Sequence, residues 1–288
     1  MKRMMVTLGL VFFAAGLMAQ PFDKARSGPR RAFFPPRGAA IKAGSGDLIY
    51  HSGGRVIPRA QVVFIFWGPS FANAASPDYQ YAQTLIAFRN MFGTTPEYNT
   101  ITQYYQIIDG IWRSDIQLSN LGSGATPDWF DTSTPPTNVT DAAVRSKVQS
   151  YLTTHKTISS AIYEVFIPST SYSSSGSNTS CGGPNLQYCA YHSYYGSGAT
   201  AVKYSIQPYP SCSGCKVSGW SDVQNQEHFF VHETREAVTD PLLDAWYDAA
   251  GFEADDKCAW SPTPFIGTGG YAYQYEWSNE TSSCVMTR

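Results

Sequence analysis

Basic charge and long apolar runs are what this chain lacks, and each absence narrows its function. Lys and Arg number 20 against 22 Asp and Glu, so neither nucleic acid nor an anionic membrane surface is an expected partner. Beyond the first twenty residues no apolar stretch approaches the length of a spanning helix, so no membrane association is expected after leader removal. No internal repeat is visible. Cys212-Ser213-Gly214-Cys215 has no second C-x-x-C to complete a zinc knuckle, and it lies in a Ser/Gly loop unlike a redox-active turn. Charged residues make up only 15% of the 288, against 43% hydrophobic, which is enough to bury one substantial core and points to a single domain.

The N-terminus reads as an export signal. Lys2 and Arg3 precede the apolar run Val6 to Leu17, and Leu17-Met18-Ala19 supplies a small-residue exit, with cleavage expected after Ala19. Removing Lys2 and Arg3 leaves 18 basic against 22 acidic residues, a net of −4. Residues 20–47, rich in Pro, Gly, Arg and Ala and without periodicity, read as a disordered leader or short pro-segment. The body of the protein is then 48–288, secreted or periplasmic and monomeric.

In an oxidising compartment the six cysteines predict three disulfides. Cys181–Cys189 and Cys212–Cys215 are favoured as local clips, with Cys258–Cys284 as the longer tie. Periodicity gives strands at Val62 to Trp67, Ala161 to Pro168 and Ala201 to Gln207, and helices at Asp78 to Phe92, Thr100 to Ile108, Val139 to Leu152 and Gln226 to Val238. Strands alternating with helices predict an α/β domain with one mixed sheet.

The chemistry concentrates at His232-Glu233-Thr234-Arg235-Glu236. On a helix, positions four apart share a face, so His232 and Glu236 project together as two ligands while Glu233 stands beside them. In the related pattern H-E-x-x-H, two His bind zinc and the Glu takes a proton from the attacking water; a carboxylate can replace the second His as a ligand. Pro241 stops the helix. Downstream, Glu253-Ala254-Asp255-Asp256-Lys257-Cys258 offers Glu253 or Asp256 as a third ligand. One zinc per chain is the expected cofactor, with calcium as the rival because the acids are hard oxygen donors. The competing reading is an exposed acidic helix face followed by a solvated acidic turn.

HETREAVTDP followed by DAWYDAAGFEADDKCAW resembles the corresponding block of secreted bacterial proteins related to plant EXORDIUM, the phosphate-induced protein family. Tyr50-His51-Ser52-Gly53-Gly54, Val62 to Pro69, Tyr188 to Ser193, Gln207-Pro208-Tyr209 and Trp277-Ser278-Asn279 agree, so the likeness covers about residues 48 to 288. Two departures stand out: the family's HGG reads His51-Ser52-Gly53-Gly54, and His228 replaces a small polar residue. The resemblance implies a secreted, zincin-like domain with an HExxE metal-site helix, which the cysteine count makes disulfide-stabilised. Peptidase activity does not follow from it, since the plant members are known mainly as wall-associated growth proteins.

Two functions stay open. A zinc-dependent hydrolase, foremost a metallopeptidase with Glu233 as general base, would act on a peptide or protein substrate. A non-catalytic extracellular protein would keep the metal as a structural clasp and bind cell-wall polymer or a partner. His51 and His192 carry lesser weight: a turn residue near the site, and a structural hydrogen-bonder or carbonyl polariser. His228, one turn before His232, is an alternative ligand to Glu236, and Tyr247 and Tyr271 are candidate oxyanion stabilisers. Asn138, Asn178 and Asn279 open N-x-S/T sequons.

Overall fold

The computed structural model describes residues 31–39, 46–123 and 126–288. The expected signal peptide, residues 1–19, lies outside them, as does 20–30. A six-stranded mixed sheet forms the centre. Its strands are β1 (Arg31–Phe34), β2 (Gln61–Trp67), β3 (Trp129–Asp131), β4 (Ala161–Phe166), β5 (Ala190–Tyr195) and β6 (Val202–Gln207), in the order β1-β5-β6-β4-β2-β3. The β6, β4, β2 and β3 pairings are parallel, while β5 runs antiparallel to β1 and β6.

The parallel strands are largely apolar on both faces because helices cover both, with Glu164, Ser205 and Gln207 as buried polar exceptions. Phe64, Phe66, Ile162 and Phe166 join one buried cluster with Leu85, Phe88 and Phe92 of α1 (Pro77–Phe92) and Phe230, Val231 and Val238 of α3 (Asp222–Thr239). Val63, Ile65, Tyr163 and Val165 pack instead with Val144, Val148 and Tyr151 of α2 (Asp141–Leu152). Each of these three helices follows a capping residue, which satisfies otherwise orphaned N–H groups. Ser76 caps α1, Thr140 caps α2, and Ser221 with Gln224 forms a capping box on α3. Among the described residues no helix is long and apolar enough to cross a membrane.

Several expectations need correction. Residues 100–108 are not a helix: a 3-10 turn, Thr100–Gln103, leads into a hairpin of Tyr105–Ile108 and Trp112–Asp115. Asp109-Gly110, both at positive φ, is an Asp-Gly hairpin turn, and it outweighs the weak helical spacing. Within the expected disordered leader, Arg31–Phe34 is an ordered edge strand paired residue for residue with β5, from Phe34↔Ala190 through Arg31↔Ser193.

The three disulfides form, but two are paired otherwise. Cys258–Cys284 is as expected, whereas the other bridges are Cys181–Cys212 and Cys189–Cys215. Antiparallel β5 and β6 set the start of β5 beside the end of β6, with Tyr191 opposite Ile206. The loop entering β5 and the loop leaving β6 therefore meet at one end of the sheet, and their cysteines pair across rather than within loops.

Candidate metal centre

Every residue of α3 from Asn225 to Thr239 is buried, yet the helix carries His228, His232, Glu233, Arg235 and Glu236 there. Buried polar groups cost several kcal/mol unless partnered, so the surroundings must be built for them. One side packs on the sheet; the other is enclosed by residues 253–258 and 272–276.

Arg235 fixes that enclosure. Its Nε donates to both Asp255 carboxylate oxygens at 3.1 and 3.2 Å, its guanidinium pairs with Glu276 Oε2 at 2.7 Å, and it reaches the carbonyls of Glu97, Gln274 and Tyr275. Gln274 donates from Nε2 to Asp255 at 2.8 Å, while its Oε1 faces His228 Nε2 at 2.8 Å and His232 Nδ1 at 3.2 Å. An amide oxygen only accepts, so both rings donate to it. His232 Nε2 is thereby turned towards the acids, as second partners commonly orient metal-ligating imidazoles.

Around that nitrogen the expected residues converge. His232 Nε2 lies 3.3 Å from Glu236 Oε2 and 3.7 Å from Asp256 Oδ1. His192, from β5, places Nε2 3.5 Å from Glu236 Oε2 and 3.1 Å from Glu253 Oε2. Two overlapping trios result, His232/Glu236/Asp256 and His192/Glu236/Glu253, with Glu236 in both. His192 Nδ1, His232 Nε2, Glu236 Oε2, Glu253 Oε1 and Asp256 Oδ2 are buried without hydrogen-bond partners, as are both carboxylate oxygens of Glu233.

The electrostatics are those of crowded acids. Burial opposes ionisation of Glu236, but His232 and His192 hold its carboxyl down at about 2. Burial and then the Glu236 charge push Glu233, Glu253 and Asp256 well above the ordinary range. Burial lowers His232, but the Glu236 carboxylate outweighs it and raises the ring overall. Four carboxylates against two imidazoles, with donor atoms unspent, make a cluster suited to a cation.

Glu236, His232, Glu253 and Asp256 are thus brought together, with Glu233 beside them on the helix. His192 is the donor to which its sequence context lends too little weight; the signal is its place on a strand, where alternation puts it on the α3 side while Tyr191 points to Asp141. His228 does not join the donors: its ring bonds Gln274, and burial drives it down to about 3. His51 stacks on Tyr247 and Tyr271 on Phe88. The Asn279 amide is bonded both ways to the Leu48 backbone.

Neither of two surface cavities, of about 210 and 360 Å³, is lined by any of these donors. No family model, curated protein or solved structure matches the chain.

Proposed function

We propose that the chain is an exported zinc-dependent peptide hydrolase, zincin-like in arrangement and akin to the EXORDIUM-type secreted proteins. One observation carries the reading: donor atoms of two His and three carboxylates converge, in His–carboxylate pairs 3.1 to 3.7 Å apart, around His232 Nε2 and Glu236 Oε2, which have no hydrogen-bond partners, beside the unengaged Glu233. Zinc bonds of about 2.0–2.2 Å in a tetrahedron separate ligand atoms by about 3.3–3.6 Å, near the 3.1 to 3.7 Å of the His–carboxylate pairs here. His232, Glu236 and Asp256 would hold the ion, or His192, Glu236 and Glu253, the two trios that share Glu236. The His in either trio favours zinc over calcium, which prefers oxygen donors alone.

Bound zinc supplies Lewis acidity, acidifying water and polarising a carbonyl. Glu233 accepts the proton of the attacking water on a carboxylate oxygen and passes it to the leaving amine. Gln274 and Arg235 do not touch the reaction; they orient His232 and pin the Glu253–Asp256 turn.

The degree of burial favours a second reading, a structural clasp. His192, His232, Glu233, Glu236, Glu253 and Asp256 are all 0–2% exposed, and a closed site of protein ligands is the mark of a structural ion. Glu233→Gln separates the two. For a hydrolase, the variant retains about one zinc per chain and loses at least on the order of a hundredfold in cleavage of a quenched peptide library. Equal cleavage by both proteins, or no chelator-sensitive cleavage by the wild type either intact or freed of its N-terminal segment, favours the clasp.

A further inference from the structure

Part of the same closure is supplied by β1, through Phe34 against His232. This four-residue edge strand adds to β5, the strand that carries His192, and places Ala32 opposite His192. Phe34 faces α3, stacked on His232 with ring centroids 4.2 Å apart and on Trp260 at 5.1 Å, and it meets Phe229 edge-on at 5.5 Å. On the other face of the strand, Arg31 pairs with Asp141 at 2.6 Å, and the Asp141 carboxylate also accepts from Tyr191 and Tyr204. Phe34 is fully buried, yet Arg37 and Gly38, three and four residues on, are exposed.

We infer that β1 occupies the peptide-binding groove of the proposed site: the substrate is an extended peptide that adds antiparallel to β5, with an aromatic side chain in the Phe34 slot and a basic residue three positions earlier, where Arg31 meets Asp141. The inference rests on the proposed hydrolase reading for turnover, but not for binding. An edge strand's unpaired N–H and C=O groups supply affinity for any extended segment, and pockets for alternate side chains supply selectivity. Here one pocket is lined by a candidate ligand, His232, and a carboxylate marks the other. The four residues Arg31-Ala32-Phe33-Phe34 would then be an internal occupant that keeps the site closed until the chain is cut beyond them.

The test uses the full chain with a sequence-specific protease site inserted between Arg37 and Gly38. The protein is cut, separated from the released N-terminal piece, and titrated with a fluorescent peptide copying residues 29–37, with and without zinc. Expected is saturable binding by the cut chain, at least tenfold tighter than that of variants of the peptide with Ala at the Phe34 or the Arg31 position, and none by the uncut chain. A cut chain that has lost residues before Gly38, keeps its near-ultraviolet circular dichroism and binds no peptide overturns the inference.

Should the cut chain unfold, Phe34→Ala in the uncut protein decides the question. A chelator should strip its zinc at least tenfold faster than from wild type at matched fold, and an unchanged rate overturns the inference. Peptide binding without cleavage refutes the hydrolase and leaves the groove assignment standing. Cleavage that the residue 29–37 peptide does not compete refutes the groove and leaves the hydrolase.

Discussion

Replacing Arg235 by Met tests whether the enclosure of α3 is built as described. The guanidinium, Asp255 and Glu276 are all fully buried, and Arg235 is the cation both acids share. Removing one partner of a buried ion pair costs about 3–5 kcal/mol, because the other charge stays behind uncompensated. Two carboxylates are stranded here, while Met refills part of the lost volume, so a loss of about 3–5 kcal/mol is expected. That is a large share of the roughly 5–15 kcal/mol of a typical domain. Urea unfolding at neutral pH measures it. The triple variant Arg235→Met, Asp255→Asn, Glu276→Gln, with no stranded charge, should recover at least half of the loss. Because Asp255 stands between Glu253 and Asp256, zinc affinity of the single variant should also fall by about 10–100-fold. A loss below about 1 kcal/mol, or a triple variant no more stable than the single one, refutes the reasoning.

Three further outcomes are expected. Glu164, buried on β4 between Thr234 and Gln207, is pushed up from 4.5 to about 8, chiefly by burial. The folded protein then holds a proton there that the unfolded chain releases, so stability falls as pH rises from 4.5 to about 8; Glu164→Gln should flatten that slope in denaturation curves, and an unchanged slope counts against a neutral carboxyl. His192→Ala should weaken zinc binding at least tenfold by competitive chelator titration while His51→Ala leaves it unchanged; equal affinities would remove His192 from the ligand set. The three disulfides close loops of similar span, with separations of 31, 26 and 26 residues. Deleting either Cys189–Cys215 or Cys258–Cys284 by paired Ser substitution should therefore cost about 3–4 kcal/mol, and peptide mapping that finds Cys212 joined to Cys215 would contradict the crossed pairing.

The legible parts of this molecule are those written in local pattern. Val62 to Trp67, Ala161 to Phe166 and the helix around His232 announce themselves by apolar period and by their stops, and the helix spacing alone brings His232 and Glu236 together. What stays hidden depends on partners distant in sequence. Arg31–Phe34 is a strand only because β5 offers it an edge, and nothing in Arg-Ala-Phe-Phe encodes that. His192 reaches Glu236 because β5 lies over α3, a contact across 44 residues of chain. The cysteine pairing is hidden for the same reason: proximity in sequence favours bridges within loops, whereas strand direction decides which loops meet.

Cys212 and Cys215 flank one short turn but bridge to different partners, Cys181 and Cys189. That arrangement constrains how the sequence can drift. If a mutation removes Cys181, the Cys212 thiolate is left three residues from the Cys189–Cys215 bond. Attack on the Cys215 sulfur forms a Cys212–Cys215 bond and expels Cys189 as thiolate, so the second bridge is lost with the first. Loss of Cys189 sends Cys215 against Cys212 in the same way and expels Cys181. No single substitution sheds either bridge without leaving a competing thiol beside its neighbour, so drift by single steps keeps the four cysteines as a set, together with the loop junction they close at the end of the strand bearing His192.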